Sequence, residues 1–211
     1  MGEAQNVTLL EVCVDTVEAA VEACSRGAGR LEYCSQLELD GLTPVEAELH
    51  AVVEGVEVPV FAMVRPRAGS FVMGSEEVAA MAAQISMVRD AGAQGVVLGV
   101  LTEAGAIDES ALKVLLAAAG ELPVTFHRAF DGIPNPLRAL DVLIRHGVTR
   151  LLTAGDGLTA WEGRELLRRL VAHAGDSLIV MPGGGVRMNH VHQLIEITGA
   201  SEVHSSQVLR L

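Results

Sequence analysis

The sequence predicts an α/β fold, a single TIM-type (β/α)8 barrel whose eighth helix is missing or truncated. Three observations carry that expectation. Short apolar runs alternate with amphipathic stretches at a repeat of about 25 residues, the pattern of successive β/α units. Runs such as Val96-Val97-Leu98 and Ile179-Val180-Met181 are apolar at consecutive positions, as parallel strands covered on both faces require. No Gly-X-Gly-X-X-Gly follows the first run, which argues against an open dinucleotide-binding sheet. No Pro/Ser-rich linker interrupts the chain, so one domain is expected over residues 1–211.

In chain order, strands are expected at 7–14, 30–34, 59–65, 94–100, 123–128, 148–153, 178–182 and 202–205. Helices are expected near 15–27, 44–54, 75–91, 108–119, 135–146, 159–173 and 187–198. Their boundaries carry recognisable signals. Ser75 stands as a cap before a Glu-rich first turn, with Gly92 just past the end. Asp108 opens the fourth helix and Gly120 stops it; Pro136 fits the first position of the fifth, with Gly147 behind it. After "EVHSS" only "QVLRL" remains, too little for an eighth helix. The apolar flank left bare predicts a homo-oligomer.

Half of the residues are hydrophobic but only 3% are aromatic, so the core must be built from Val, Leu, Ala, Met and Ile. The net charge of -12 and the lack of a basic block exclude a nucleic-acid footprint. No apolar run approaches the roughly 20 residues of a membrane span. The start lacks a basic-then-apolar secretory pattern, and Asn6 stands where myristoylation wants Ser or Thr. Three Cys without framework spacing fit reduced thiols, hence a cytoplasmic location.

Strand parity then sorts the polar residues. Leu10, Val12 and Val14 share the face expected to meet the helices, which turns Glu11 and Cys13 into the barrel. The second strand repeats the pattern: Leu31 and Tyr33 outward, Glu32 and Cys34 inward. The same rule turns Met63, Arg65, Thr125, His127 and His204 inward, with Gly95 and Gly99 making room. Barrels place their sites at the carboxyl ends of the strands. The expected partners of the two buried carboxylates are Arg65, Arg67, Arg128 and His127.

Three chemistries compete for these residues. Cys13 and Cys34 form a soft two-thiolate site for copper as Cu(I), with Met63 or Met181 beside them, or else they are two buried small hydrophobes. Cys24, on the first helix, is assigned to packing. Alternatively the turn Gly183-Gly184-Gly185, with Arg187 and the helix behind it, binds a small anionic ligand. Glu11, Glu32, Arg65, His127 and His204 are then the catalytic candidates of a barrel enzyme acting on a small anionic or phosphorylated metabolite. A barrel acting through its surface alone is the third reading, and no exposed apolar helix face marks it.

The motifs "LEVCVDTVEAA", "RLEYCS…GLTP", "VRPRAGSF", "PVTFHRAFD", "MPGGGVRMNH" and "EVHSS" together resemble the CutC family of copper homeostasis proteins over nearly the whole chain. The resemblance implies a cytoplasmic barrel linked to copper tolerance, with Cu(I) on the cysteines that fall at Cys13 and Cys34. Val45, Met73 and Asp156 depart from the family's usual residues.

Overall fold

A computed structural model describes residues 8–211; residue 7 of the expected first strand and the Asn6 position lie outside the described residues. Strands and helices alternate as β1 (Leu9–Val14), α1 (Val17–Ser25), β2 (Arg30–Tyr33), α2 (Glu46–Gly55), β3 (Val60–Met63), α3 (Ser75–Asp90), β4 (Gly95–Leu98) and α4 (Glu109–Ala119). The second half adds β5 (Val124–Phe126), α5 (Pro136–Arg145), β6 (Arg150–Thr153), α6 (Arg164–Ala174), β7 (Ile179–Pro182), α7 (Val191–Thr198) and β8 (Glu202–Ser205). All ladders are parallel, in the order β7-β6-β5-β4-β3-β2-β1-β8. β7 lies against β8, so the sheet curls into a nearly closed (β/α)8 barrel.

Parity divides the core as the sequence requires. Leu10, Val12, Val14, Leu31 and Tyr33 face outward into the large apolar cluster shared with the helices. Cys13, Cys34, Phe61, Met63 and Val97 form a second, smaller cluster inside the barrel. Each fully buried Leu or Val of the outer cluster contributes about 1.5–3 kcal/mol, which makes the strand–helix layer the main source of stability. Two glycines shape the interior: a Cβ on Gly95 would stand 2.5 Å from the Phe61 ring, and one on Gly99 would stand 2.4 Å from the His127 ring. No helix among the described residues is long and apolar enough to cross a membrane.

Several boundaries differ from expectation. Ser75 is the first residue of α3 rather than its cap; Gly74 takes that place, and Glu77 reaches back to accept its N–H at 2.8 Å. Helix α6 starts five residues late because Thr159 and Glu162 bind each other's backbone N–H groups in a closed turn. Helix α7 starts late because Arg187 N–H donates to His190 Nε2 and holds 187–190 as a turn. Strands β3 and β5 end early, which leaves Arg65 and His127 just past the strand ends. The Asp108 cap and the Pro136 start stand as expected. Among the described residues, 206–211 after β8 are not helical, and Val208 and Leu209 pack back against the core.

Candidate metal and ligand site

At the amino end of the barrel interior the first inward residues of β2, β6 and β8 are charged. Arg30 Nε donates to Glu11 Oε2 and its Nη2 to Glu202 Oε2, both at 2.5 Å. Arg150 Nε donates to the same Glu202 oxygen at 2.6 Å. The Phe61 ring lies between the two guanidinium groups, 5.0 Å and 5.2 Å from its centroid. Two cations therefore balance two carboxylates. Burial pushes the Glu11 carboxyl upward, but the His204 bond and the Arg30 charge outweigh it and hold it at about 2. Glu202 is likewise lowered, since Arg30 and Arg150 overcome its burial.

This corrects the expected pairing. Arg65, Arg67, Arg128 and His127 do not neutralise the buried carboxylates. Arg65 binds the carbonyls of Leu39, Gly41 and Gly69; Arg67 pairs with Glu77; Arg128 pairs with Asp131 at 2.7 Å. Arg30 and His204 serve Glu11 instead.

At the carboxyl end the same strands open into a cavity of 480 Å³ lined by Cys13, Glu32, Arg65, His127, Gly184 and His204 among others. Cys13 stands opposite Glu32 in the β1–β2 register, and Cys34 sits one step further along. The thiols meet at 3.8 Å. The contact with Cys34, burial and the Glu32 charge together push the Cys13 thiol well above its ordinary value. Met63 packs with this pair, whereas Met181 lies deeper and accepts from Arg30 at 3.4 Å.

Glu32 is 3% exposed, and its Oε2 has no hydrogen-bond partner. Burial, with Glu11 adding to it, raises this carboxyl against the pull of the His204 charge. His204 Nδ1 lies 2.8 Å from Glu11 Oε1; an ionised carboxylate only accepts, so the imidazole donates. Burial lowers the His204 imidazole, but Glu32 and Glu11 raise it further, and the net shift is upward.

His127 caps the short 3-10 turn Arg128–Gly132, its Nδ1 accepting from Ala129 N–H at 3.2 Å. That bond puts the ring proton on Nε2, which is buried without a partner. Burial, then the Arg65 charge, lowers this imidazole to about 3, so the ring is neutral. Phe71 stacks 4.9 Å from His127 and carries the Arg65 guanidinium on its face; Arg65 Nε also has no partner. Thr153 Oγ1 and the Ala154 N–H donate to Asp131, which orients Arg128.

The glycine turn closes the rim. Gly184 and Gly185 have φ of 94° and 66°, and a Cβ on Gly184 would meet the Arg128 guanidinium at 3.0 Å. Gly183 is pressed against Leu152, leaving 2.3 Å for a Cβ. Arg187 is exposed, binds the Val186 carbonyl and stands outside the cavity lining. The cation beside the turn is Arg128.

The geometry defines a β/α-barrel protein with a cavity at its strand ends, lined by thiol, carboxylate, imidazole and guanidinium groups. Low-identity barrels share the fold alone: a phosphonopyruvate hydrolase (TM-score 0.70, 11% identity, 96% of this chain and 76% of that one) and an aldolase (TM-score 0.66, 14%, 98% and 92%). A solved structure carrying the CutC name, from Streptococcus agalactiae, superposes at TM-score 0.92 with 29% identity over 96% of this chain and all of that one. A Homo sapiens copper homeostasis protein cutC homolog is 44% identical over 96% of this chain and 74% of its own length. A CutC protein of Histophilus somni is 42% identical over 93% and 81%. The CutC family matches residues 8–209, and the chain belongs to it.

Proposed function

We propose that the chain is a copper homeostasis protein that binds Cu(I) through Cys13 and Cys34. The 3.8 Å between the two sulfurs carries the reading. Two thiolates on one tetrahedral ion with metal–sulfur bonds of about 2.3 Å stand about 3.8 Å apart. Soft thiolate donors select Cu(I) over harder cations. Binding must expel protons from the thiols, so affinity rises with pH. The names of the human and mouse relatives point to the same cargo. A reducing cytoplasm would keep both thiols available. Competition for Cu(I) against a chelator tests this: Cys13→Ser and Cys34→Ser each lose the tight site, and Cys24→Ser keeps it. Wild-type affinity in the Cys13/Cys34 double variant would overturn it.

A second reading rests on His127 Nε2 and Arg65 Nε, two buried nitrogens without partners. With Arg128 and the Gly183–Gly185 turn they suit a small anionic or phosphorylated metabolite, and Glu32 and His204 would move protons on it. Titration with inorganic phosphate would then shift the Gly184 and Gly185 amides; unchanged amides at high phosphate would remove it. Self-association belongs to the proposal as well, with the exposed apolar side chains Val21 of α1 and Val114 of α4 as candidate contacts. Sedimentation showing only monomer at micromolar concentration would contradict that.

A further inference from the structure

We infer that Cys13, Glu32 and His204 form a three-donor site for a borderline divalent cation of the zinc class, with its fourth position open to the cavity. One ligand atom from each residue lies within 4.8 Å of the others. The three come from β1, β2 and β8, which are adjacent in the sheet, so the ladder itself fixes their spacing.

Two independent observations point to a cation. Glu32 Oε2 is buried without a partner, whereas both oxygens of the neighbouring Glu11 are hydrogen-bonded. A buried acceptor left unmet is costly, and an ion is the partner the surroundings lack. His204 is already held as a metal ligand would be: Nδ1 donates to Glu11, and Glu11 is fixed in turn by Arg30. A carboxylate on one ring nitrogen orients the other toward the metal and makes it a stronger donor. Here that leaves Nε2 for the ion.

The donor set then selects the ion class. One thiolate, one imidazole and one carboxylate match the mixed ligands of zinc, whereas Cu(I) is better served by two sulfurs. Three protein ligands with an open fourth position distinguish a reactive or transfer site from a closed structural one. The cavity supplies that opening. Cys13 is common to this site and to the Cu(I) pair, so the two ions exclude each other. Cys34 belongs only to the pair, and Glu32 and His204 only to the triad, which lets either assignment fail without the other.

Anaerobic titration with Co²⁺ provides the test. Wild type should show tetrahedral d–d absorption with a thiolate-to-metal charge-transfer band. Cys13→Ser should lose that band, while Glu32→Gln and His204→Gln should each weaken binding at least about 10-fold. Cys34→Ser should bind Co²⁺ as wild type does while losing tight Cu(I). Should a triad variant fold poorly by near-UV circular dichroism, the zinc K-edge spectrum of wild type decides instead: one sulfur with imidazole and oxygen scatterers is expected. Two sulfurs, a charge-transfer band surviving in Cys13→Ser, or equal loss in Cys34→Ser would overturn the assignment.

Discussion

At the amino end of the barrel interior, Glu11 and Glu202 meet Arg30 and Arg150 through bonds of 2.5 to 3.2 Å. Toward the carboxyl end, Glu32 on β2 and His127 and Arg65 just past β5 and β3 each leave a buried polar atom without a partner. The two ends are built from similar residues and obey opposite rules. Charges that satisfy one another need no ligand, and they hold the barrel in one arrangement. Buried polar groups left unmet are rare in folded proteins, and a bound ligand, ion or water is one way they are completed. The amino-end layer is only slightly imperfect, with Arg150 Nη1 and Thr125 Oγ1 unpaired.

Breaking the paired layer should have the largest effect. Arg30→Ala strips Glu11 and Glu202 of a shared partner and should cost about 3–5 kcal/mol in urea unfolding. A loss below about 1 kcal/mol would make that layer dispensable. Gly99→Ala comes next, because its methyl would stand 2.4 Å from the His127 ring. Overpacking of that kind costs about 1–3 kcal/mol, and the ring must turn to relieve it. The His127 side-chain NMR signal should therefore move with the fall in Tm.

Acidification probes both ends at once. His127 has its folded pKa near 3, below the ordinary 6.5, so the unfolded chain binds more protons between those values. Stability should fall as pH drops from 6.5 toward 3. Glu11, held at about 2 against an ordinary 4.5, adds a further loss from 4.5 toward 2. Unfolding curves flat in urea midpoint from pH 7 to 4 would contradict the buried neutral imidazole.

The smallest effect on stability should come from Glu32→Gln, within about 1 kcal/mol of wild type, since its Oε2 has no hydrogen-bond partner to lose. A change as large as that of Arg30→Ala would erase the difference between the two ends.

Strand periodicity made most of this site legible. Alternation alone turned Glu11, Cys13, Glu32 and Cys34 inward, and Gly95 and Gly99 marked where large neighbours needed space. Arg30, Arg150 and Glu202 share the parity of their inward neighbours, yet each stands at the first position of a strand, where a charge looks like a solvated end. Phe71 and Asp131 lie on loop and turn, where side-chain direction follows no period. The sequence pattern puts Arg187 at a helix start beside the glycines; the 187–190 turn instead sends it outward and leaves Arg128 at the rim.

The copper K-edge absorption spectrum of the Cu(I)-loaded protein tests most directly whether the carboxyl end is the ligand site. Two sulfur scatterers should appear in wild type and one in each of Cys13→Ser and Cys34→Ser, with Arg30→Met unchanged wherever it folds. Two sulfurs persisting in Cys13→Ser, or only nitrogen and oxygen scatterers in wild type, would contradict it.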